Sequence, residues 1–339
     1  MNKIINLIVA MAALTFCFSC NNEWEEEQFA HYVGFKAPIN ADGCTTVYVR
    51  YKADGETVKY QLPLVVSGST VHTSNINAVV ELDPDSLQVL NERNIGPRRT
   101  DIWYKDLSNA EEHGGKQRVI TQFPATVKIP AGESVALLDI EMDLANLNQS
   151  HRWILPLRVA EDKPGYTANT RKHYNNAMLN VVPFNNYSGS YVASGMQGRP
   201  MYNGVVDQQA IPYTVANKTL YATGDRTAFF YAGGVDHTNK QRDEYRVDVE
   251  FLDAGALRWS ASNPDLEFSV KAGSDSYLTP EEPDAIKPYL VRKSVIIQAT
   301  YYMLDKTGGV PVKYEFKGSM TMQRTINTQI PDEDQAIQW

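Results

Sequence analysis

Seven residues of this chain have the types and placement to bind a ligand through stacking and hydrogen bonding. The aromatic members lie outside the alternating pattern of a strand, which leaves the flat face of each ring available to a partner. Such a ring packs on the C–H face of a sugar, while polar neighbours hydrogen-bond the hydroxyl groups. The candidate rings are Trp103, Tyr104, Tyr202 and Tyr277, and the candidate polar neighbours are Arg98, Asp101 and Asn203.

Burial is the alternative for each candidate ring, because a loop aromatic can instead cover a loop or close a sheet edge. Trp153 alternates in phase with Leu155 and Leu157, which predicts a core position. Tyr314 also lies on an apolar face and is predicted to be core. The loop at Asp236-His237 is a weaker binding candidate.

No arrangement typical of an enzyme is present. The sequence lacks Gly-x-Ser-x-Gly, His-Glu-x-x-His, a phosphate loop and a dinucleotide fingerprint. Its six histidines are scattered without the spacing of metal ligands. Asp83 and Asp85 fall at a predicted helix start, where capping explains them better than a glycosidase carboxylate pair does. We therefore expect no enzyme, no metal site and no cofactor.

The first twenty residues predict export. Lys3 precedes an apolar run that is too short to span a bilayer and ends at Ser19-Cys20. The run and its Ser19-Cys20 end resemble a bacterial lipoprotein signal, in which the chain is cut before Cys20 and lipid is attached to Cys20. Cys17 stands where leucine is usual in such signals. Simple secretion is the alternative. Cys44 is then left alone, so no intramolecular disulfide is expected in the mature chain.

An acidic stretch follows Cys20 and ends at Gln28. Its low aliphatic content is typical of a solvated spacer. It also resembles the export signal of Bacteroidetes lipoproteins displayed on the outer face of the outer membrane. The formal net charge of the chain is -8, which argues against nucleic acid as a partner.

Alternating apolar and polar residues predict β-strands along almost the whole chain. Two alternating runs, 47–51 and 58–66, flank Asp54-Gly55, a pair typical of a hairpin turn. Pro63 and Pro156 lie inside runs and therefore favour edge strands or bulges at those points.

Other features concern longer segments. The stretch 295–304 is apolar on both faces, which predicts a central strand, and Gly318 in the next run indicates a bulge or a barrel corner. Long strands in sequence order indicate an antiparallel meander or barrel. One helix is predicted, from Asp83 to Asn94, with Asp83 as its cap.

Two motifs carry a resemblance to a known family. The segment 129–134 (Ile-Pro-Ala-Gly-Glu-Ser), with the Leu-Pro-Leu strand at 155–157, is similar to the Ig-like N-terminal domain of Bacteroides surface lipoproteins from polysaccharide-utilisation loci. The segment 186–191 resembles the opening of the lipocalin-like C-terminal domain that often follows. The resemblance implies an all-β protein that captures a polysaccharide or oligosaccharide, with an outer-membrane transporter complex as a candidate protein partner.

The resulting division has four parts. They are a signal peptide at 1–19, an acidic tether at 20–28, an Ig-like β-sandwich domain at 29–183 and a lipocalin-like antiparallel domain at 184–339. We expect a non-catalytic, lipid-anchored glycan-binding protein that faces the cell exterior. A structural or assembly lipoprotein without sugar affinity is the alternative, and an enzyme of unrecognised type is a third hypothesis.

Replacing Cys20 by alanine tests the predicted anchor. Each buried CH₂ of an acyl chain contributes about 0.8 kcal/mol to membrane binding, and stable anchoring needs more than one chain. We expect Cys20→Ala to leave the outer-membrane fraction, and Cys17→Ala to stay in it. Equal fractionation of Cys20→Ala and the wild type would exclude lipidation at Cys20.

Overall fold

The computed structural model describes residues 30–52, 56–109, 121–144 and 147–331. The predicted signal peptide, Cys20 and the acidic tether lie outside these residues, as does the predicted turn at Asp54-Gly55. The chain is 47% strand and 9% helical, so the all-β prediction is confirmed. No helix in the described ranges is long and apolar enough to cross a membrane.

Two sheets face each other across one apolar core in the first half of the chain. In spatial order, the strands of the first sheet are β1 (Val33–Phe35), β3 (Val58–Val66), β8 (Val135–Met142) and β6 (Thr121–Gln122). Those of the second are β2 (Thr45–Arg50), β10 (Asn176–Phe184), β9 (Trp153–Val159), β4 (Ile76–Leu82) and β7 (Thr126–Ile129), with β5 (Lys105–Asp106) beside β9.

Alternation places every second side chain of these strands in the core, as expected from the pleat. Trp153 is 1% exposed, which confirms its predicted core position. Its indole nitrogen donates to the carbonyl oxygen of Asn148 at 2.9 Å, so the polar atom of this large side chain is also satisfied.

The hairpin predicted around Asp54-Gly55 is wrong. β2 pairs with β10, whereas β3 pairs with β1 and β8, so the two alternating runs lie in opposite sheets. Alternation identified both strands correctly. Their partners depend on contacts between residues far apart in the chain, which a local turn motif does not report.

The two prolines lie in central strands, whereas the sequence favoured edge strands or bulges at those points. β9 pairs with β10 on one side and with β5 and β4 on the other, and Pro156 falls at the step between β5 and β4. Pro63 lies just beyond the end of β1, which pairs with β3 only from Leu64 onward. Proline has no N–H to donate, so it fits a central strand where the neighbouring strand stops.

The predicted helix is confirmed as α1 (Pro84–Asn94). The Asp83 side chain accepts a hydrogen bond from the backbone N–H of Ser86 at 3.2 Å, and Pro84 occupies the first turn. Leu87 and Leu90 pack in a small core on the outer face of the second sheet. The carboxyl of Asp83 thus acts as the predicted helix cap.

The second half of the chain forms one thirteen-stranded sheet. Its main path runs β13 (Val205–Val206), β12 (Gln197–Tyr202), β23 (Val312–Asn327), β11 (Gly189–Val192), β15 (Asn217–Ala222), β16 (Thr227–Tyr231), β17 (Arg246–Phe251) and β18 (Leu257–Ala261). Off this path, β14 (Tyr213–Thr214) pairs with β12, and β22 (Leu290–Asp305) pairs with β23, β19 (Ser269–Val270), β20 (Ser276–Leu278) and β21 (Glu281–Pro283).

This large sheet curls around its own core. β22 has neighbours on both edges, which confirms the predicted central strand. The indole nitrogen of Trp259 on β18 donates to the carboxylate of Asp275, just before β20, at 2.9 Å. That bond joins strands from opposite ends of the sheet. The division into two domains at 183/184 stays a prediction.

The predicted corner at Gly318 is present. β23 pairs with β12 up to Lys317 and with β11 at Thr321, so its partner changes across Gly318. Gly318 has φ +142, and a Cβ atom there would overlap the carbonyl oxygen of Gly195. Only glycine allows the two backbones to approach this closely.

Lys218 on β15 is a buried cation of the second half and is 7% exposed. Its Nζ donates to the carbonyl oxygens of Tyr231 at 2.6 Å and Val235 at 2.9 Å, which fixes the turn after β16. Burial lowers the pKa of Lys218 to about 8, and the charge of Asp236 partly opposes that shift.

Trp153→Ala should lower the free energy of unfolding by about 3–5 kcal/mol, because it removes a large buried side chain and leaves a cavity. Urea unfolding measures this loss. Leu137→Ala is the control, since Leu137 is 48% exposed in the same sandwich and its truncation should cost under about 1 kcal/mol. Equal midpoints for Trp153→Ala and the wild type would show that the indole is not part of the core.

Lys218→Met should change how stability depends on pH. Between pH 8 and the ordinary lysine pKa, the unfolded chain holds a proton that folded Lys218 has lost, so this group raises the free energy of unfolding as pH rises. From pH 8 to 9.5 the wild type should gain about 2 kcal/mol relative to Lys218→Met. If the free energies of unfolding of the wild type and Lys218→Met changed equally between pH 8 and 9.5, the lowered pKa of Lys218 would be contradicted.

Candidate functional site

Three tyrosines lie on the inner face of the curled sheet at one of its ends. Tyr202 is the last residue of β12, Tyr213 lies on β14 and Tyr314 on β23. Gly198 of β12 pairs with Tyr213 on one side and with the core residue Phe316 on the other. Tyr202 follows Gly198 by four residues on the same strand, so both residues face the same side of the sheet. We call Tyr202, Tyr213 and Tyr314 the aromatic mouth.

The three rings differ in exposure. Tyr202 is 60% exposed and Tyr213 is 46% exposed, whereas Tyr314 is half-buried. Tyr213 meets Phe316 edge-on, with ring centroids 6.3 Å apart, and Tyr314 lies 6.0 Å from the same ring. The aromatic mouth is therefore a continuation of the sheet's core that is open to solvent.

The loop between β13 and β14 leads directly into Tyr213, and polar contacts hold this loop in place. Nη1 of Arg199 donates to the carbonyl oxygens of Gln208 at 3.0 Å and Ala210 at 2.7 Å. The carboxylate of Asp207 accepts from the backbone N–H of Gln209 at 2.9 Å. These bonds fix the approach to Tyr213 before any ligand binds.

Glycines give the aromatic mouth its shape. A Cβ atom at Gly198 would lie 2.6 Å from the ring of Phe316, and one at Gly234 would overlap the hydroxyl of Tyr213. Gly234 lies in the turn that Lys218 fixes through the carbonyl of Val235. The buried lysine thus helps to position the surface against which Tyr213 rests.

The phenol of Tyr314 lies close enough to the other two phenols for them to affect its pKa. Burial raises the pKa of Tyr314, and Asp305, Tyr202 and Tyr213 raise it further. The hydroxyl of Tyr314 therefore stays protonated at neutral pH and can act as a hydrogen-bond donor. The site offers ring faces together with hydroxyl groups, the combination that an aromatic-lined sugar site uses.

Tyr202 and Asn203, both predicted from the sequence, lie together at this end of the sheet. Tyr202 pairs with Val205, and Asn203 and Gly204 form the two-residue turn between them. Their φ angles are +52 and +78, as an Asn-Gly hairpin turn requires. The turn presents Tyr202 to solvent beside Asn203, which is exposed.

Two predicted binding rings are core residues, and these predictions are corrected. Tyr104 is 4% exposed beneath α1, with the guanidinium of Arg152 4.1 Å from its ring centroid. Tyr277 is 7% exposed on β20 and packs edge-on against Phe251 at 5.1 Å. Its hydroxyl donates to the carbonyl oxygen of Leu252 at 2.6 Å. Neither ring has a free face for a ligand.

The other predicted binding residues around position 100 lie in or near a crevice between the two halves of the chain. Trp103 is partly exposed there, and its indole nitrogen donates to the carbonyl oxygen of Gly96 at 3.0 Å. The carboxylate of Asp101 accepts two bonds from Arg99, both at 3.0 Å, which lowers the pKa of Asp101. Arg98 is exposed nearby in sequence, and His237 also lines the crevice.

The crevice is a joint between the halves. Arg242, 5% exposed, donates to the carbonyl oxygens of Asp101 at 2.9 Å and Ser150 at 3.3 Å. Burial lowers the pKa of both His151 and His237 here. Lys105 and Arg242 add to the effect at His151, and Arg152 and Arg242 add to it at His237. The cavity volume is about 10 Å³, room for about one water molecule. Ligand contact at Trp103 stays a prediction.

Sequence reasoning missed Tyr213 and assigned Tyr314 to the core. Tyr213 lies in a two-residue strand, which is too short to show alternation. Tyr314 does share the apolar phase of Phe316, and only the end of the sheet leaves it partly open. A usable sequence signal was the presence of large apolar residues in the turn-rich stretch 202–213. Four of them are exposed in the structure: Tyr202, Val205, Ile211 and Tyr213.

Two family models match the chain. One is described as a domain of unknown function, DUF4973, and covers residues 24–164; the other describes a C-terminal domain and covers residues 175–321. No curated protein matches the sequence. Within the described ranges, no group of three or more His, Cys, Asp or Glu residues is arranged to hold a metal ion.

Solved structures give a fuller comparison. A multidomain protein including DUF1735 from Bacteroides ovatus is 39% identical with a TM-score of 0.78, over 91% of this chain and 100% of that one. A protein of unknown function from the same species is 40% identical, with the same TM-score and coverage. An auxiliary nutrient binding protein from Bacteroides thetaiotaomicron is 31% identical with a TM-score of 0.77, over 92% and 100%. This chain therefore belongs to the Bacteroides family of multidomain proteins that include DUF1735.

Proposed function

We propose that this protein is a non-catalytic glycan-binding lipoprotein of the cell surface and that the aromatic mouth stacks on sugar rings. The observation that carries the proposal is the convergence of Tyr202, Tyr213 and Tyr314 on one concave face. Ligands commonly enter curled β-sheets and barrels at this kind of opening.

The exposure of the rings sets the expected strength of binding. Tyr202 and Tyr213 each keep about half of their surface open, so a bound sugar would stay partly solvated. A shallow contact of this kind corresponds to a dissociation constant on the order of micromolar to millimolar, or roughly 4–8 kcal/mol. Such affinity suits capture and release of a polymer, in which several weak contacts act together.

The relatives support the same class of function. The Bacteroides thetaiotaomicron relative is described as an auxiliary nutrient binding protein, and a glycan is one class of nutrient. The anchor at Cys20, display on the outer face of the outer membrane and association with a transporter complex are further parts of the proposal. They are motivated by the apolar run that ends at Ser19-Cys20 and by the acidic stretch after it.

Calorimetric titration of the mature protein with a panel of plant, host and microbial glycans tests the proposal. For a glycan that binds, Tyr202→Ala and Tyr213→Ala should each weaken binding by about tenfold or more, or about 1.4 kcal/mol. Melting temperatures should change little, because both rings are exposed. Tyr174→Ala is the matched control, since Tyr174 is 48% exposed outside the aromatic mouth and should bind as the wild type does.

Two results would contradict glycan binding at the aromatic mouth. One is glycan binding that Tyr202→Ala and Tyr213→Ala leave unchanged, which would exclude the aromatic mouth as the site. The other is the absence of measurable binding to any glycan of the panel together with recovery of a stable protein partner, which would favour the structural or assembly role. Release of reducing sugar from a bound glycan would identify an enzyme instead.

A further inference from the structure

Two histidines from opposite halves of the chain face the crevice at the joint. His151 lies just before β9 in the first half, and His237 lies in the turn after β16 in the second. Both side chains are half-buried, and the cavity beside them has room for about one water molecule. A positive charge on either imidazole would therefore be poorly hydrated while the joint is closed.

Two guanidinium groups also line this crevice. Arg152 donates to the phenol oxygen of Tyr104 at 3.1 Å and to the carbonyl oxygen of Ile102 at 2.9 Å. Arg242 donates to two backbone carbonyl oxygens of the first half. All these acceptors are neutral, and among the residues that the structure describes neither arginine forms an ion pair with a carboxylate. Two positive charges thus already lie beside the histidines.

Cations around the two imidazoles oppose their protonation. Burial is the largest cause that lowers the pKa of both histidines, and the cations lower it further. Lys105 and Arg242 act on His151 in this way. Arg152 and Arg242 act on His237. In the closed joint each histidine therefore stays neutral at pH values where an exposed histidine is already protonated.

Carboxylates near the joint offset this effect only in part. The carboxylates that favour protonation of the two imidazoles are Asp42, Asp236 and Asp243. Asp101 also lines the crevice, but its carboxylate is paired with Arg99 at 3.0 Å. The pKa of both histidines is lowered despite these negative charges, so burial and the cations outweigh them.

We propose that the joint between the two halves is an acid-sensitive switch that opens when His151 and His237 become protonated. Protonation adds two positive charges beside Arg152 and Arg242, in a space that holds about one water molecule. Separation of the halves relieves this repulsion and lets solvent hydrate the charged groups. The proposal does not depend on sugar binding at the aromatic mouth, because it concerns different residues.

The direction of the response follows from proton binding. In an open joint both histidines meet solvent and titrate near their ordinary pKa of about 6.5, whereas in the closed joint their pKa is lower. The open form then holds more protons in the acidic range, so falling pH favours it. With two histidines, the ratio of open to closed molecules can rise by at most about a hundredfold per pH unit, and with one by at most about tenfold.

A distance measurement between two spin labels, one on each half, tests the switch. Glu92→Cys and Lys240→Cys carry the labels, because both positions are exposed. The mature chain with Cys20→Ala is used, in which Cys44 is 0% exposed and shielded from the label. One distance should dominate at pH 7.5, and a second, longer distance should grow as the pH falls to 5.

Histidine variants of the labelled protein identify the groups that respond. His151→Gln together with His237→Gln should abolish growth of the longer distance, and each substitution alone should make that growth less steep with pH. His173→Gln is the matched control, because His173 is exposed outside the crevice and its loss should leave the response unchanged. Lys105→Gln should weaken the response, because it removes a charge that repels protonated His151.

Three results would overturn the proposal. The first is a distance distribution that stays the same from pH 7.5 to 5. The second is an equal pH response in the wild type and in the double histidine variant. The third is loss of the far-ultraviolet circular dichroism of the strands together with the longer distance, which would identify global acid unfolding. If the histidine variants fail to fold, a wild-type response in Lys105→Gln would overturn the proposal in their place.

Discussion

The close approach of two backbones at Gly195 and Gly318 is the constraint on which the second half of the molecule depends. At this point β23 leaves β12 and meets β11, and no side chain larger than hydrogen fits at Gly318. The change of partner bends the sheet, and the bend encloses the core ring of Phe316. On one side of Gly318, β12 is the neighbour of β23, and β14 pairs in turn with β12.

The consequence for the candidate site is direct. Because β12 and β14 follow that bend, Tyr202, Tyr213 and Tyr314 share one concave face although they are far apart in sequence. The loop bonds of Arg199 and the turn fixed by Lys218 then hold the surroundings of Tyr213. A rigid frame with open rings reduces the ordering that a weak ligand would otherwise have to impose.

Features that depend on residues close together in the chain were predicted from the sequence, whereas features that depend on distant residues were not. Strands and α1 depend on side chains a few residues apart, and alternation together with the cap at Asp83 predicted them. The hairpin at Asp54-Gly55 failed because sheet membership depends on distant partners. Edge strands or bulges were favoured at Pro63 and Pro156 for the same reason, since only the three-dimensional pairing shows where a neighbouring strand stops.

The same distinction between local and distant contacts applies to the residues of the candidate site. Tyr202 and Asn203 could be proposed from the sequence because a local turn carries them, and their role in binding stays a prediction. Tyr104 and Tyr277 were wrong because residues remote in sequence cover them: Cys44 and Ile154 pack with Tyr104, and Phe251 packs against Tyr277. Tyr213 gave no pattern at all, because its strand has two residues and its place on the inner face comes from pairing with β12.

The central claim is that one end of the curled sheet holds sugar through its tyrosines. The measurement that tests it most directly is a crystal structure of the mature protein with a glycan that binds it in solution. The account predicts a sugar ring parallel to Tyr202 or Tyr213, with its hydroxyl groups near Asn203 or the phenol of Tyr314. A glycan bound elsewhere on the molecule, with the aromatic mouth filled only by water, would contradict it.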